Sequence, residues 1–560
     1  MSNAGDLIRR LYGGFRGADF RGEEINIHRS PDCLNVWRDY KETDSIRTRP
    51  GMELLHGFED PVYGIYFYGG DMIVHSGMNL YRMKNGEREL IYAWMNPAPS
   101  QGFLFDNYWY VKDGKNYLRY DGHMVDNVDG YIPTTSIGRK PAGGGTVHED
   151  VNMLSDLRKN SFLADGTSKK YFLDTLNIDH DYIPTVTYNG LTVSEFMYTV
   201  DYEGGCIEFS VAPQKPATDG QDNVVIQFKK AVREHMGTIA KCTLLQVFDN
   251  RVFFSGNADR PNVVWHCSLD DPTYVSDLDY YRDGIDTAAI NGIVAGNNAL
   301  WVFREPSEAN TTVFYHTPTI DAEYGKIYPS VHSSITTGCV GKAINFNDDI
   351  VFFSERGMEG ISGDVTTEQM VAHRSTLVDR RMTAEAGYKN MILEEWEGYL
   401  LAFIGNHVYL ADSRGMFANG NHTEYEWFYW DLGMEIICTR VESGVLYLGT
   451  ADGVYTLTDT EANVESFWVT PKDKFDNPHK LKTSHKRGCV AEAKGDIDVY
   501  AKVEDTDFEY IGTYTDVEDY FVSRIKRKKF KDIQLKFHSN TRFSLETVTL
   551  EAFIGGYIKR

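Results

Sequence analysis

The chain has no long apolar run, no paired cysteines, little proline and a deficit of positive charge, and each shortage removes a class of protein. No stretch of 18 apolar residues occurs, and Met1 to Arg10 lacks the apolar core of a secretion signal. Neither export by a signal peptide nor stable membrane insertion is therefore expected. The cysteines, Cys33, Cys206, Cys242, Cys267, Cys339, Cys438 and Cys489, form no C-x-x-C pair and lie mostly beside apolar strand residues. They read as free buried thiols. Two N-x-T sequons, at Asn310 and Asn421, then read as chance matches. Basic side chains number 57 against 81 acidic ones, a formal net of -24, which argues against a protein that grips phosphates over its whole surface. Such a surface would suit the wall of a conduit along which DNA slides without sticking, and plain solubility is the simpler reading of the same charge.

Catalytic signatures are missing too. There is no G-x-S-x-G elbow, Walker A loop, G-x-G-x-x-G turn, H-E-x-x-H helix or EF-hand loop. Asp179-His180-Asp181 and His148-Glu149-Asp150 hold potential metal ligands. Adjacent residues of an extended chain point to opposite faces, so neither trio converges on an ion without a turn. Asp270-Asp271, followed by Pro272, reads as a turn. Trp109, Trp301, Trp427 and Trp430 read as packing residues before a sugar-stacking platform. No enzyme is expected, no catalytic, metal or cofactor residue is assigned, and DNA-contacting residues are not legible.

What the chain does have is aromatics, 13% of residues with 35 Tyr and 30 Phe, alongside 50 Gly and 17 Pro. Many short aromatic strands joined by Gly turns give that balance. One phrase recurs seven times: a polar turn pair, then an alternating apolar strand, with a small-residue break before the next. Its clearest copies are Asp249-Asn250-Arg251-Val252-Phe253-Phe254-Ser255-Gly256 and Asp348-Asp349-Ile350-Val351-Phe352-Phe353-Ser354. The second turn residues fall at 71, 107, 250, 298, 349, 398 and 444, so the regular steps lie near 48. That is about one four-stranded propeller blade.

The expected fold is mainly β: an irregular β-propeller of about six to eight blades over 56–129 and 242–464, carrying an inserted small β module at 130–241. The one long step, 143, marks that insertion. It opens with Pro141-Ala142-Gly143-Gly144-Gly145, shows some helical potential around Val151 to Lys159, and then a strand series through Tyr198–Tyr202, Cys206–Phe209 and Val224–Phe228. Residues 1–55 read as a lead-in and 465–560 as a separate C-terminal β-sandwich domain. The latter holds the one dense basic run, Arg524-Ile525-Lys526-Arg527-Lys528-Lys529. A charged strand edge that blocks pairing is one reading; contact with an acidic neighbouring subunit or with DNA is the other.

The N-terminal segment carries a resemblance. Tyr12-Gly13-Gly14-Phe15 is followed by Arg29-Ser30-Pro31-Asp32-Cys33-Leu34-Asn35-Val36 and Ile46-Arg47-Thr48-Arg49-Pro50-Gly51. This order resembles the opening of bacteriophage tail nozzle and packaged-DNA stabilization (tail hub) proteins. The strand series from Tyr198 to Phe228 is similar to a small β module of phage tail proteins, and Asp249–Gly256 with Asp271-Pro272-Thr273-Tyr274 resembles the blade after it. The resemblance covers about half the chain, chiefly residues 12–320. It implies a structural virion protein, one copy in a homo-oligomeric ring, commonly of six, that extends the tail channel and helps retain and release packaged DNA. It also implies tail adaptor and tail fibre or needle proteins as partners, non-sequence-specific passage of phage DNA, assembly in the host cytoplasm and location in the virion tail. The last 95 residues show no nozzle pattern, which leaves another tail position open. The alternative class is a carbohydrate-active or receptor-binding β-propeller. A module inserted in one blade loop lies on a face, so the insertion is expected to make contacts between subunits: deleting 130–241 should impair ring assembly in negative-stain images.

Overall fold

A two-residue turn, used seven times, sets the architecture. The computed structural model describes residues 6–22, 25–40, 45–235, 237–309, 311–322, 325–362, 369–420, 422–458, 463–526 and 529–557. Asn310, Asn421, Arg527 and Lys528 lie outside the described residues. Each copy of the phrase falls at the first hairpin of a four-stranded sheet. The turn pairs are 69/70, 106/107, 249/250, 297/298, 347/348, 397/398 and 443/444, and every one of these positions has positive φ. Such turns twist with their strands, and Asn, Asp and Gly enter the left-handed region at least cost. At the first and fifth copies the turn is Gly69-Gly70 and Asn347-Asp348, one residue earlier than the phrase marks. The strand after each turn is largely buried: every residue of Ala299–Arg304 and of Tyr399–Ile404 is buried. A strand covered on both faces reads as a continuous apolar run.

Seven four-stranded sheets arise in this way among the described residues, and the fold is a β-propeller with an inserted β module. The seventh sheet takes its outer strand from far away in the chain, since Gly51–Gly57 pairs antiparallel with Gly453–Thr458.

The chain divides into two compact units. The first holds residues 1–67, 72–77 and 334–560, with the fifth to seventh sheets and a sheet of eleven strands. The hub of that sheet is Lys480–Val503. Phe543–Tyr557 pairs with its first two-thirds and Ile533–Ser539 with its end, while Glu509–Val517, Tyr520–Ser523 and Lys529–Phe530 also pair with it. The N-terminal segment joins the same sheet: Leu7–Gly13 and Ile46–Thr48 pair with Phe543–Tyr557, and Cys33–Leu34 with Ser466–Val469. Residues 1–55 are thus no free-standing lead-in, and 465 is no core boundary. One hydrophobic cluster runs from Tyr12 and Trp37 through Leu401 and Trp427 to Phe537 and Leu550. The physical reason is that strands of two or three residues hold only as part of a larger sheet.

The second unit holds residues 68–71 and 78–333, with the second to fourth sheets and the insertion. The insertion is a six-stranded and a three-stranded sheet around Phe162, Tyr171, Val186, Ile207 and Ile226. The helical potential at 151–159 is not realised. Turns there lead into Leu157–Phe162, which is held between Thr134–Arg139 and Val224–Lys229. Pairing on both edges overrides a weak local preference. Asn152 fixes the module to the third sheet, donating to the carbonyls of Tyr131 (2.8 Å) and Thr273 (2.9 Å) and accepting from the Val275 amide at 3.0 Å.

Half-buried and buried ionisable groups brace the sheets. In the fifth, His373 lies 3.2 Å from Glu359 and 2.6 Å from Asp379, and Ser375 donates to the second Asp379 oxygen. Burial alone lowers the imidazole pKa; the hydrogen bonds to Asp379 and Glu359 outweigh it and push the group up to about 10. Because the folded-state pKa is raised, the stabilisation is complete below about pH 6.5 and is lost as the pH rises through 10. His373→Phe is expected to cost about 2 kcal/mol at pH 6. The gap to the unaltered protein should narrow by pH 10, as read by urea unfolding across that range.

Candidate functional site

The acidic trios do turn and loop chemistry. Glu149 accepts from Tyr131 at 2.9 Å and from the Thr134 amide, and Asp150 accepts from Ser276 at 3.3 Å. Asp179 accepts from the Ala231 amide at 2.8 Å, Asp181 pairs with Lys229, and His180 stacks on Tyr202 with ring centres 4.4 Å apart. Asp270 has positive φ and Asp271 accepts from the Thr273 amide at 2.9 Å. Among the described residues no three His, Cys, Asp or Glu side chains are grouped to hold a metal ion. Trp109, Trp301, Trp427 and Trp430 are fully buried. Six cysteines are buried, Cys438 is half-buried, and all are free.

The residues that carry the resemblance come together in one buried joint. Arg29 grips Glu426 with two hydrogen bonds, 2.9 and 2.7 Å, and its guanidinium lies 4.1 Å from the Phe417 ring centre. Ser30 donates to the Val469 carbonyl at 2.7 Å. Asn35 sits at φ 54, donates from its side chain to the Glu465 carbonyl (2.8 Å), and accepts from Arg49 (3.0 Å) and the Asp431 amide (2.8 Å). Arg49 completes its fork on the carbonyls of Pro50 (2.9 Å) and Asp431 (3.0 Å). Trp37 stacks on Trp396 and meets Trp430 edge-on, with ring centres 5.6 and 5.7 Å away. The N-terminal phrase thus ties the last strand of the sixth sheet, His422–Asp431, to the eleven-stranded sheet.

A charged region without internal ion pairs among the described residues is on that larger sheet. Pairing along Lys480–Val503 jumps from Ser484 opposite Ala552 to Cys489 opposite Leu550, so residues 485–488 bulge from the ladder. Bulges re-aim side chains, and Gly488, at φ 56, supplies the backbone turn that returns the strand to register. Glu551, opposite the bulge, is held by Arg9 at 2.7 Å and by His485 at 3.0 Å. Lys486 and Arg487 are left exposed. Beside them Ser484 donates to the Lys526 carbonyl at 3.0 Å, which brings in exposed Arg524 and Lys526. His485, Lys486, Arg524, Lys526, Ile525 and Phe553 line a cleft of about 500 Å3. Arg524, Ile525 and Lys526 also line a smaller cavity together with Ala501, Val503, Glu509, Tyr510 and Ile511. Lys486, Arg487, Arg524 and Lys526 make no ion pair among the described residues. Four open cations around an apolar floor suit an anionic partner with an apolar group. Arg524–Lys529 was legible as a basic run; the bulge that sets Lys486 and Arg487 beside it was not.

No protein-family model matches the chain, and no curated protein matches it. Solved structures are similar at low level. BamB from Moraxella catarrhalis is 11% identical, with 73% of this chain and 97% of that one covered and a TM-score of 0.32. The N-terminal domain of Nup159 is 9% identical, covering 73% of this chain and 95% of its own, with a TM-score of 0.31. PorZ, a surface component of the type-IX secretion system of Porphyromonas gingivalis, is 11% identical, covering 84% and 75%, with a TM-score of 0.23.

The joint gives a direct test. Arg49→Leu removes the fork from the Asn35 oxygen and from the Pro50 and Asp431 carbonyls, and should cost about 3 kcal/mol in urea unfolding.

Proposed function

We propose that this chain is a structural, non-enzymatic protein of a tailed-phage virion, one copy in a ring at the tail nozzle or hub, past which DNA moves without base-specific contact. The observation that carries the reading is the joint. Arg29, Ser30, Asn35 and Arg49 belong to the phrase that resembles tail nozzle proteins, and all four are buried and saturated with partners inside the chain. A phrase so used preserves an architecture, not a ligand site, which is what a shared structural role demands. The net charge of -24 agrees with a wall that does not hold phosphates. Trp109, Trp301, Trp427 and Trp430 are buried and offer no sugar-stacking platform.

Electron microscopy of the purified protein, together with mass spectrometry of particles of the phage that encodes it, tests the proposal. The expected result is rings in solution and the chain in the tail. A protein that stays monomeric at high concentration and is absent from particles overturns it.

A further inference from the structure

The C-terminal sheet carries opposite charges in two bands, which meet where Glu509 and Tyr510 line a small cavity with Arg524, Ile525 and Lys526. Residues 504–519 hold seven carboxylates and no Lys or Arg; residues 524–531 hold six bases and no acid. The acidic band is a hairpin whose strand Glu509–Val517 pairs only with Lys480–Val503, leaving its outer edge open among the described residues. Asp507, Asp516, Glu518 and Asp519 are exposed on it, and Tyr510 and Tyr520 are 58% and 60% exposed. The basic band forms the cleft, lined by Lys486, Arg524 and Lys526 with Ile525 and Phe553 as its apolar floor, and exposed Arg487 adjoins it in sequence.

The two surfaces match in kind: acids around exposed aromatic rings on one, bases around an apolar floor on the other. We propose that they are the two halves of a head-to-tail contact between copies of this chain, the acidic hairpin of one copy seated in the basic cleft of the next. A contact between two different surfaces leaves each copy with one half free at either end, so it propagates, and closes into a ring where the rotation allows. The outer edge of Glu509–Val517 over residues 510–515 has no strand partner among the described residues and adds its backbone to the same surface. A phosphate backbone is the poorer fit. The acidic band shares a sheet with the cleft, and the whole chain is strongly negative, so a polyanion is repelled on approach. The inference rests on the assembly part of the reading above and not on the virion.

Charge reversal tests it in the full chain. One variant carries Lys486→Glu, Arg487→Glu, Arg524→Glu and Lys526→Glu; a second carries Asp507→Lys, Asp516→Lys, Glu518→Lys and Asp519→Lys. All eight positions are exposed, and a thermal melt checks that both variants fold. Sedimentation velocity is expected to show the unaltered protein assembling at low salt and dissociating as salt is raised, because contacts between exposed charges are screened. Each variant alone should associate at least about a hundredfold more weakly. Mixing the two, or combining both sets of changes in one chain, should restore assembly, which loss of folding would not allow. Rings that form unchanged in both variants overturn the contact and leave the ring reading standing. A protein that is monomeric at every salt concentration yet present in phage particles overturns the contact and leaves the virion reading standing. Loss of binding to a short DNA duplex by the first variant, with assembly intact, makes the cleft a phosphate site and overturns the proposal.

Discussion

The antiparallel pairing of Gly51–Gly57 with Gly453–Thr458 is the constraint on which the rest depends. Without it the seventh sheet has three strands and an exposed edge. With it, the strands Leu7–Gly13, Cys33–Leu34, Val36–Trp37 and Ile46–Thr48 before Gly51 join the eleven-stranded sheet, and the residues after Gly57 lead into the first four-stranded one. Bringing together strands some 400 residues apart costs roughly 5 kcal/mol or more in chain entropy. The continuous core that spans the N-terminal segment, the fifth to seventh sheets and the C-terminal strands offsets that cost. Arg49 stands two residues before the strand Gly51–Gly57 and fourteen after its partner Asn35, so the same closure positions the joint.

The parts legible in the sequence are those whose physics is local. Tight turns need residues that accept positive φ, and the strands after them are apolar on both faces, so Asp249-Asn250 and Asn297-Asn298 with their strands identify themselves. The insertion was visible as a break in that rhythm. What was hidden depends on partners distant in the chain. Cys33–Leu34 and Ile46–Thr48 are too short to signal a strand and acquire one only against Ser466–Val469 and Phe543–Tyr557. The bulge was hidden for a further reason. Before it, the inward positions of the long strand are Lys482 and Ser484, which look like surface residues; Lys482 is buried, donating to the carbonyls of Asn477 and Lys531 at 2.6 and 2.7 Å. After it the inward set is Cys489, Ala491 and Ala493, so the phase of the alternation changes across a stretch whose first half gives no phase to read.

Two uses of charge separate the interior from the cleft. Inside, Arg29 with Glu426, Arg49 with Asn35, and His373 between Glu359 and Asp379 are satisfied within the chain, as buried groups must be. At the cleft, Glu551 takes up Arg9 and His485 while Lys486, Arg487, Arg524 and Lys526 face solvent. Saturated groups fix one conformation and offer nothing outward. Of the four that remain open, Lys486 and Arg487 are carried on the bulge opposite Glu551, and Arg524 and Lys526 on the connection that follows Tyr520–Ser523.

The inserted module differs from everything around it in how its stability is divided. Its core residues, from Phe162 to Phe228, all come from within the insertion, and Asn152 tethers it to the third sheet from just outside that core. A segment with its own closed core is a separate calorimetric unit, able to open and reclose while the sheet that carries it stays folded. The N-terminal segment has no such independence: its apolar residues belong to the large cluster, and it melts only when that cluster does.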